Sequence, residues 1–301
     1  MQHSNLGYSE LLANMISARF LKDILVLAKP LVSLAITFTT FAGFAMASRE
    51  VNSTLFMATL GVLFMASGVS ALNQVLERKT DALMERTKNR PVASGRVLPH
   101  TAAIVGTLLL FVGFILLLSI NLWAAILGLF NAFWYLAVYT PLKRTSVWAL
   151  LVGTLTGAIP FAIGFLAANS SQPISKALFV SFFLVMWQVP HFLLLVCKYG
   201  KEYELAGLAS LTKYWEVKTI LKVTFIWIVA SSIAIVPISL FGIIHNDLYG
   251  YFLFFFLILS IFFIAKWVLL PVSNQSITRA MILLNSYQLI LMLILVADSL
   301  I

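Results

Sequence analysis

Long apolar runs, nearly free of charge, recur along this sequence of 301 residues and constrain its fold more than any other feature. A run of about 18 or more apolar residues can cross a hydrocarbon core as a helix, which satisfies its own backbone hydrogen bonds there. The runs predict membrane spans over 31–47, 55–76, 101–120, 122–140, 146–168, 176–197, 219–243, 250–270 and 279–299. The predicted fold class is an all-α integral membrane protein, with about nine transmembrane helices in one bundle around a central cavity.

The positive charges fall mainly on one of the two predicted sides of the membrane. Basic residues of that side occur within 19–29, 78–96, 143–144 and 198–218 and at Arg279. The other side carries only Arg49 and Lys176. Because Lys and Arg in short loops stay cytoplasmic, the N-terminus is predicted to be cytoplasmic and the C-terminus outside. The net charge of +9 is thus explained by topology, and no nucleic acid partner is predicted.

The chain is predicted to form one polytopic membrane domain over 1–301. Its residues 1–29 form a cytoplasmic segment, in which 9–28 has the apolar spacing of an interfacial helix. No short apolar core with a following A-x-A site is present, so no cleaved signal peptide is predicted. Cys197 is the only cysteine, which excludes an intrachain disulfide.

Two of the predicted cytoplasmic connections, 77–100 and 198–218, are long and carry acids among bases. In the first, Asn73, Glu77, Asp81 and Glu85 follow at steps of four, which places them along one helix face. Carboxylate and amide oxygens suit magnesium, and the bases of the following "RTKNRP" suit phosphate oxygens. This mixture predicts a metal-bridged diphosphate site. A solvated loop helix, with Glu85 paired to Lys88, is the alternative interpretation.

These residues also carry a resemblance to a known family. The stretch "NQVLERKTDALMERTKNRP" resembles the first signature of the intramembrane aromatic prenyltransferases, the UbiA-type superfamily. The stretches "MWQVPHF" and "KEYELAGL" resemble more closely its heme-directed branch, the protoheme IX farnesyltransferases, as do "LAKPLV", "ASGVSALNQ" and "YTPLKRTSVWALLVGTLTGAIPFAIGF". The resemblance covers the chain from about Leu27 to Leu208.

The resemblance implies transfer of a farnesyl group from farnesyl diphosphate to the vinyl group of protoheme IX (heme B), giving heme O. Mg²⁺ is the implied cofactor, and heme B is a substrate and not a prosthetic group. The implied catalytic residues and metal ligands are Asn73, Glu77, Asp81 and Glu202. The implied diphosphate or propionate contacts are Arg78, Arg86, Lys88, Arg90, Lys143, Arg144 and Lys201. The family pattern has aspartate where this chain has Glu77, Glu202 and Lys79.

His191 follows Pro190 inside the sixth predicted span. Ionisable groups at membrane depth are functional candidates, and neutral imidazole is a common iron ligand. With heme as the implied substrate, His191 is predicted to position the heme, with Trp187 and Phe192 as ring neighbours. The alternative is an imidazole satisfied by a neighbouring helix, with both aromatic rings used in packing.

The resemblance further implies a lipid bilayer environment in the bacterial inner membrane, favoured over an organellar inner membrane. It also implies a downstream heme A synthase or terminal oxidase assembly as a partner. Two other functions stay open at this level. One is prenylation of a quinone precursor or another aromatic acceptor, and the other is non-catalytic heme handling or transport.

Overall fold

The computed structural model describes residues 19–235, 238, 242–269 and 273–301. We number its main helices α1 (Pro30–Ser48), α2 (Ser53–Asp81), α3 (Pro99–Leu118), α4 (Leu122–Leu142), α5 (Ala149–Ala167), α6 (Ile174–Leu205), α7 (Val217–Ile233), α8 (Asp247–Leu269) and α9 (Asn274–Leu300). Residues 19–27 are also helical, and no strand occurs in these ranges. Of the predicted interfacial helix, residues 9–18 lie outside the described part of the chain.

Eight of the described helices are long and apolar enough to cross a membrane, judged by length and composition. The predicted all-α membrane fold is therefore confirmed, whereas the count of nine spans is not. The difference lies at the predicted span 219–243, where α7 has 17 residues and ends at Ile233. Helices α2 and α6 instead extend beyond their predicted spans, to Asp81 and Leu205, because polar residues continue both helices past the apolar runs.

The connections between helices meet at two opposite ends of the bundle. At one end, the Ala209 amide donates to the Lys143 carbonyl at 3.0 Å. At the other end, Asn121 Nδ2 donates to Asn169 Oδ1 at 2.5 Å. Neighbouring helices are antiparallel and joined by short loops, so successive connections alternate between the two ends. We call the first the charged end, since its connections, 82–98, 143–148 and 206–216, carry charged residues.

Helices α2 and α3 pack closely because glycines face each other along their contact. Gly61 lies opposite Gly113 and Gly68 lies opposite Gly106, with a spacing of seven on both helices. A Cβ atom added at Gly68 would lie 2.5 Å from the Gly106 carbonyl oxygen. Small residues at such contacts let membrane helices gain close packing where no hydrophobic force joins them. The contact thus fixes α2, the helix that carries the acidic stripe.

Two prolines interrupt the hydrogen bonds of long helices, and a neighbouring helix satisfies each freed carbonyl. Pro160 lies in α5, and Asn131 Nδ2 of α4 donates to the carbonyl four residues before it at 3.2 Å. Pro190 lies in α6, and Ser231 Oγ of α7 donates to the carbonyl four residues before it at 3.0 Å. Proline has no N–H to bond that carbonyl, so each break supplies an acceptor that fixes the adjacent helix.

Helix α4 widens into a π-helical stretch over Trp134–Tyr139. Thr140 Oγ1 donates to the Tyr135 carbonyl at 2.8 Å, and Trp134 Nε1 donates to the Val152 carbonyl of α5 at 2.9 Å. A π-helical turn changes the direction in which side chains leave the helix, and such turns are common at functional sites. Here Tyr135 and Tyr139 both line a cavity near the charged end.

Candidate active site

A cavity of about 350 Å³ opens near the charged end and is bordered by α1, α2, α4, α5 and α6. We call it the charged cavity. Its ionisable bases and acids are Lys29, Arg86, Arg90, Lys143, Glu77 and Asp81. Four bases against two acids give a net charge of +2 when all six groups are ionised. The cavity therefore suits an anionic ligand, or an anion that carries a divalent cation with it.

The acidic stripe of α2 reaches this cavity as the spacing of four predicts. Asn73 Nδ2 donates to Glu77 Oε2 at 2.6 Å, and Thr140 Oγ1 donates to Asn73 Oδ1 at 2.9 Å. Asp81 accepts from Arg90 Nη1 with both carboxylate oxygens, at 2.7 and 2.8 Å. All three stripe residues are buried. Buried carboxylates require such partners, because an unpaired charge away from water is costly.

The Glu77 carboxylate also forms an ion pair with the Lys143 ammonium, between α2 and the loop after α4. Glu85, by contrast, lies beyond the end of α2, where it is exposed and forms an ion pair with Lys88 at 2.7 Å. The solvated interpretation thus holds for Glu85. The stripe that lines the cavity consists of Asn73, Glu77 and Asp81.

A second cavity of about 240 Å³ shares lining residues with the first and lies among α1, α2, α4, α5 and α6. We call it the apolar cavity, since residues such as Val62, Met65 and Ile163 line most of it. Lys29, Val32 and Tyr135 line both cavities. A ligand with a charged head and a long apolar tail would place its junction beside these shared residues.

Lys29 is the site residue that sequence reasoning missed. It precedes α1 with a left-handed backbone, at φ 46°, which is uncommon for a residue other than glycine. The pKa of Lys29 is lowered to about 7, chiefly by burial and also by Arg90 and Lys143, whereas Glu77 and Asp81 oppose the shift. In the sequence, Lys29 lies in the stretch "LAKPLV" and contributes to the prediction only as a positive charge that sets the membrane orientation.

Glu202 does not line the charged cavity, although its Oε2 atom accepts from the backbone N–H of Arg86, a lining residue, at 3.4 Å. Its role as a fourth metal ligand stays a prediction. Helix α6 presents Tyr203 to that cavity. Glu202, about 100° away around the helix, lines a different cavity together with Lys201. Among the described residues, no three His, Cys, Asp or Glu side chains lie close enough together to hold a metal ion.

The oxygens of Asn73, Glu77 and Asp81 nevertheless fit magnesium, provided that a ligand supplies further oxygens. Magnesium takes six oxygen ligands, usually one or two carboxylates with waters and substrate phosphates. Three donors from one helix leave room for such ligands. Because Lys143 and Arg90 hold the two carboxylates, an arriving metal must be accompanied by an anion that binds these bases.

Of the seven predicted phosphate or propionate contacts, three line the charged cavity: Arg86, Arg90 and Lys143. The other four point elsewhere. Arg78 and Arg144 donate to the carbonyls of Val75 and Leu76, Lys88 pairs with Glu85, and Lys201 lines the separate cavity. Sequence proximity to the motif therefore does not decide which bases reach the site.

His191 lies where α6 meets α9, next to both cavities. Its Nδ1 atom is 2.9 Å from Asn285 Oδ1 of α9. On the same helix, Gln188 lines the apolar cavity and Phe192 lines the charged cavity. The imidazole is partly buried. The predicted partner on a neighbouring helix is thus present, and the imidazole stays at the border of the site.

Trp187 lies in the core, away from both cavities. It is 1% exposed, its Nε1 donates to the Leu284 carbonyl at 3.0 Å, and its ring lies 4.7 Å from that of Tyr287. A buried indole with its N–H satisfied is typical of packing. The structure therefore places Trp187 in the α6–α9 contact, outside the lining of both cavities, and its role as a heme neighbour stays a prediction.

Comparison with known protein families decides the classification. A model described as the UbiA prenyltransferase family matches residues 36–287. The chain belongs to the UbiA prenyltransferase family. The fold resemblance predicted from the motifs around Asn73 and His191 is thereby confirmed, and this UbiA prenyltransferase is an enzyme of the prenyl-transfer class.

Among curated proteins, this UbiA prenyltransferase is similar to several named protoheme IX farnesyltransferase. The protein of Geobacter sulfurreducens is 38% identical over 62% of this chain and 70% of that one. The protein of Salinibacter ruber is 41% identical over 63% and 68%. The protein of an Anaeromyxobacter species is 38% identical over 74% and 75%.

Solved structures share the fold of this UbiA prenyltransferase at low sequence identity. A structure of digeranylgeranylglyceryl phosphate synthase matches with a TM-score of 0.73 and 16% identity, over 93% of this chain and 98% of that one. A UbiA homolog from Archaeoglobus fulgidus bound to DMAPP and Mg²⁺ matches with a TM-score of 0.69 and 15% identity, over 91% and 99%.

Proposed function

We propose that this UbiA prenyltransferase transfers a farnesyl group from farnesyl diphosphate to a vinyl group of protoheme IX, forming heme O. The observation that carries prenyl transfer is the junction of the charged and apolar cavities at Lys29, Val32 and Tyr135. The relatives named protoheme IX farnesyltransferase, at 38% and 41% identity, support heme as the acceptor.

In this proposal the bases of the charged cavity bind the diphosphate. Arg86, Arg90, Lys143 and Lys29 line the cavity and offer charge-assisted hydrogen bonds to phosphate oxygens. Asn73, Glu77 and Asp81 would hold a magnesium ion, which neutralises charge on the departing diphosphate when bound. The Mg²⁺ in the Archaeoglobus fulgidus homolog supports this assignment at the level of the family.

The reaction begins when the allylic C–O bond breaks and the diphosphate leaves with the bonding electron pair. The rings of Tyr135 and Tyr139, with centroids 5.4 Å apart, line the cavity where the allylic cation forms. Aromatic faces attract such cations, and the apolar walls beyond Tyr135 exclude water. The terminal vinyl carbon then bonds to farnesyl C1. Water adds to the resulting cation and loses a proton, which leaves a hydroxyl group.

The orientation and compartment are part of the same proposal. We propose that the charged end faces the cytoplasm of a bacterial cell, with residues 1–301 acting as one domain in the inner membrane. The concentration of bases within 78–96 and 198–218 supports this orientation. It would place the charged cavity on the side where soluble prenyl diphosphates are available.

The proposal is tested by a product assay on membranes that contain the protein, supplied with heme B, farnesyl diphosphate and magnesium. The expected product is the porphyrin with one farnesyl group and one hydroxyl group added. Lys143→Met should lose at least about tenfold in rate, because a charge-assisted contact contributes about 1.5–3 kcal/mol. Arg144→Met is the matched control and should keep the rate, since Arg144 bonds the Leu76 carbonyl outside the cavity.

Two results would contradict the proposal in different ways. Prenylation of a quinone precursor with heme left unchanged would show that the acceptor is wrong. Absence of any prenylated product, together with uptake of heme by vesicles that contain the protein, would show a transport function.

A further inference from the structure

We propose that Asn285 is a positioning residue, which holds His191 in the tautomer that can bind the iron of the acceptor. This inference rests on the proposed function, because it takes heme as the acceptor and the His191 imidazole as its ligand. Asn285 belongs to α9, a part of the chain in which the sequence motifs give no signal. Only the fold brings the two residues together.

The chemistry of the contact fixes the tautomer of His191. Nδ1 of the imidazole lies 2.9 Å from Asn285 Oδ1, and an amide oxygen can only accept a hydrogen bond. Nδ1 of the neutral ring therefore carries the proton, and the lone pair is on Nε2. In the part of the chain that the structure describes, no protein group forms a hydrogen bond with Nε2. A metal binds imidazole through such a nitrogen, while the other nitrogen donates to an oxygen.

The surroundings of Asn285 point to a function beyond packing. Its side chain is exposed, on the face of α9 that also carries Ile282 (61% exposed) and Leu289 (52% exposed). Polar side chains at membrane depth usually face the interior of the bundle, and those that do not are costly. The uncovered face leaves a large flat acceptor free to approach His191 from the side of α9.

A second hydrogen bond links the same two helices and provides a control, because it holds them together without contacting the imidazole. Lys198 Nζ of α6 donates to Thr278 Oγ1 of α9 at 2.8 Å. Lys198 lies seven residues after His191, and Thr278 lies seven residues before Asn285, as expected for antiparallel helices in one register. Loss of the Thr278 hydroxyl would weaken the helix contact without touching the imidazole.

The test is a titration of the full-length protein, purified in detergent, with ferric heme, followed by its visible absorption spectrum. Asn285→Leu should lose the signature of imidazole-bound iron and weaken heme binding about tenfold to a hundredfold, the usual effect of removing such a partner. Asn285→Asp should retain both, because its carboxylate accepts the same N–H. Thr278→Val should behave like the wild type, and farnesyl diphosphate binding should be unchanged in all three variants.

The inference is overturned if Asn285→Leu and Thr278→Val show the same heme spectrum and affinity, since Asn285 would then only hold α6 and α9 together. It is also overturned if His191→Ala binds heme with the wild-type spectrum. If Asn285→Leu does not fold, Asn285→Ser, which keeps the polarity but shortens the reach, carries the same test. Failure of the wild type to form heme O would overturn the proposed function instead, and the titration would still decide the role of Asn285 because it requires no turnover.

Discussion

At the scale of single residues, the site consists of charges that find their partners across the fold. Glu77 and Asp81 lie on the helix face that their spacing predicts, because α2 continues past the apolar run. Their partners do not follow from the spacing. Lys143 reaches Glu77 from the loop after α4, and Arg90 turns back to Asp81 from the connection after α2. Which bases reach the cavity depends on tertiary structure, which a local motif does not contain.

Lys79 shows how a departure from the family pattern can lie outside the site. The sequence places a lysine where the family has aspartate, which suggests a weakened metal site. Lys79 is exposed and does not line the charged cavity, because it lies two residues from Glu77 and therefore on another face of α2. We expect Lys79→Asp to leave kcat/KM within about twofold of the wild type, since a screened surface charge contributes little. A tenfold rise in the product assay would contradict this placement.

Asp81 contributes to the fold as well as to the site, which its position in the sequence does not suggest. Its position near the end of α2 suggests an aqueous mouth and a fold that tolerates replacement. The carboxylate is instead 1% exposed and is held by Arg90. Asp81→Asn should therefore abolish turnover and also lower the free energy of unfolding, by about 3 kcal/mol for a broken buried pair.

Thermal unfolding in detergent measures this loss of stability. Glu85→Gln is the matched control, because it breaks the exposed pair with Lys88 and should change stability by no more than about 0.5 kcal/mol. Equal unfolding temperatures for Asp81→Asn and Glu85→Gln would show that the Asp81 pair contributes nothing to stability.

Lys29 should make substrate binding dependent on pH. Its pKa of about 7 means that the ammonium is present below pH 7 and is lost as the pH rises. Because the ammonium is the form that binds phosphate oxygens, the KM for farnesyl diphosphate should be lowest below about pH 7 and rise about tenfold above it.

Measurement of KM from about pH 6 to about pH 9 tests this dependence. Lys29→Arg is the matched control, because a guanidinium stays protonated over the whole range and should remove the rise. A rise of the same size in both proteins would assign the dependence to the substrate and not to Lys29.

At the scale of helices, hydropathy predicts where the spans lie, since the length of an apolar run directly reflects the thickness of the bilayer. Hydropathy does not predict where a span departs from a regular α-helix. The π-helical stretch Trp134–Tyr139 depends on α5, which receives the Trp134 N–H. The break at Pro190 is visible in the sequence, whereas Ser231 as the group that satisfies it is not.

The contact between α2 and α3 gives a prediction at this scale. Gly68→Ala would place a Cβ atom against the backbone of α3, which cannot move aside as a side chain could. The variant should lose about 1–3 kcal/mol of stability, although alanine favours a helix over glycine. Thermal unfolding measures the loss, with Leu108→Ala on the exposed face of α3 as the control. Gain of stability in Gly68→Ala would mean that the helices lie further apart.

At the scale of the whole molecule, alternation of the spans sets which connections share an end, and the charge distribution predicts which end is cytoplasmic. The structure brings the connections together as the alternation requires, with Lys143 bonded to Ala209 at one end. The charge pattern could not show that α6 presents Tyr203 to the charged cavity and Glu202 to the backbone amide of Arg86 at its edge. That orientation depends on the rotation of a helix about its axis, which two acid-bearing loops in a sequence leave open.

Reporter fusions test the orientation of the molecule. Fusions after residues 90 and 208 should report a cytoplasmic location, and fusions near 172 and 247 an external one, because basic loops resist translocation. The first two positions lie at the charged end and the other two at the opposite end. A cytoplasmic signal at 172 with an external signal at 90 would invert the proposed orientation.

The ion pairs of Glu77 with Lys143 and of Asp81 with Arg90 have a consequence for selectivity. Inorganic phosphate or sulfate would draw the two bases away and leave two buried carboxylates without their cationic partners. A free divalent cation would do the reverse and repel the displaced bases. Only a ligand that brings both signs of charge replaces both partners at once. Magnesium and diphosphate should therefore each raise the affinity of the protein for the other by the same factor. Phosphate, sulfate or a divalent cation alone, although abundant in a cell, should bind the unliganded protein only weakly.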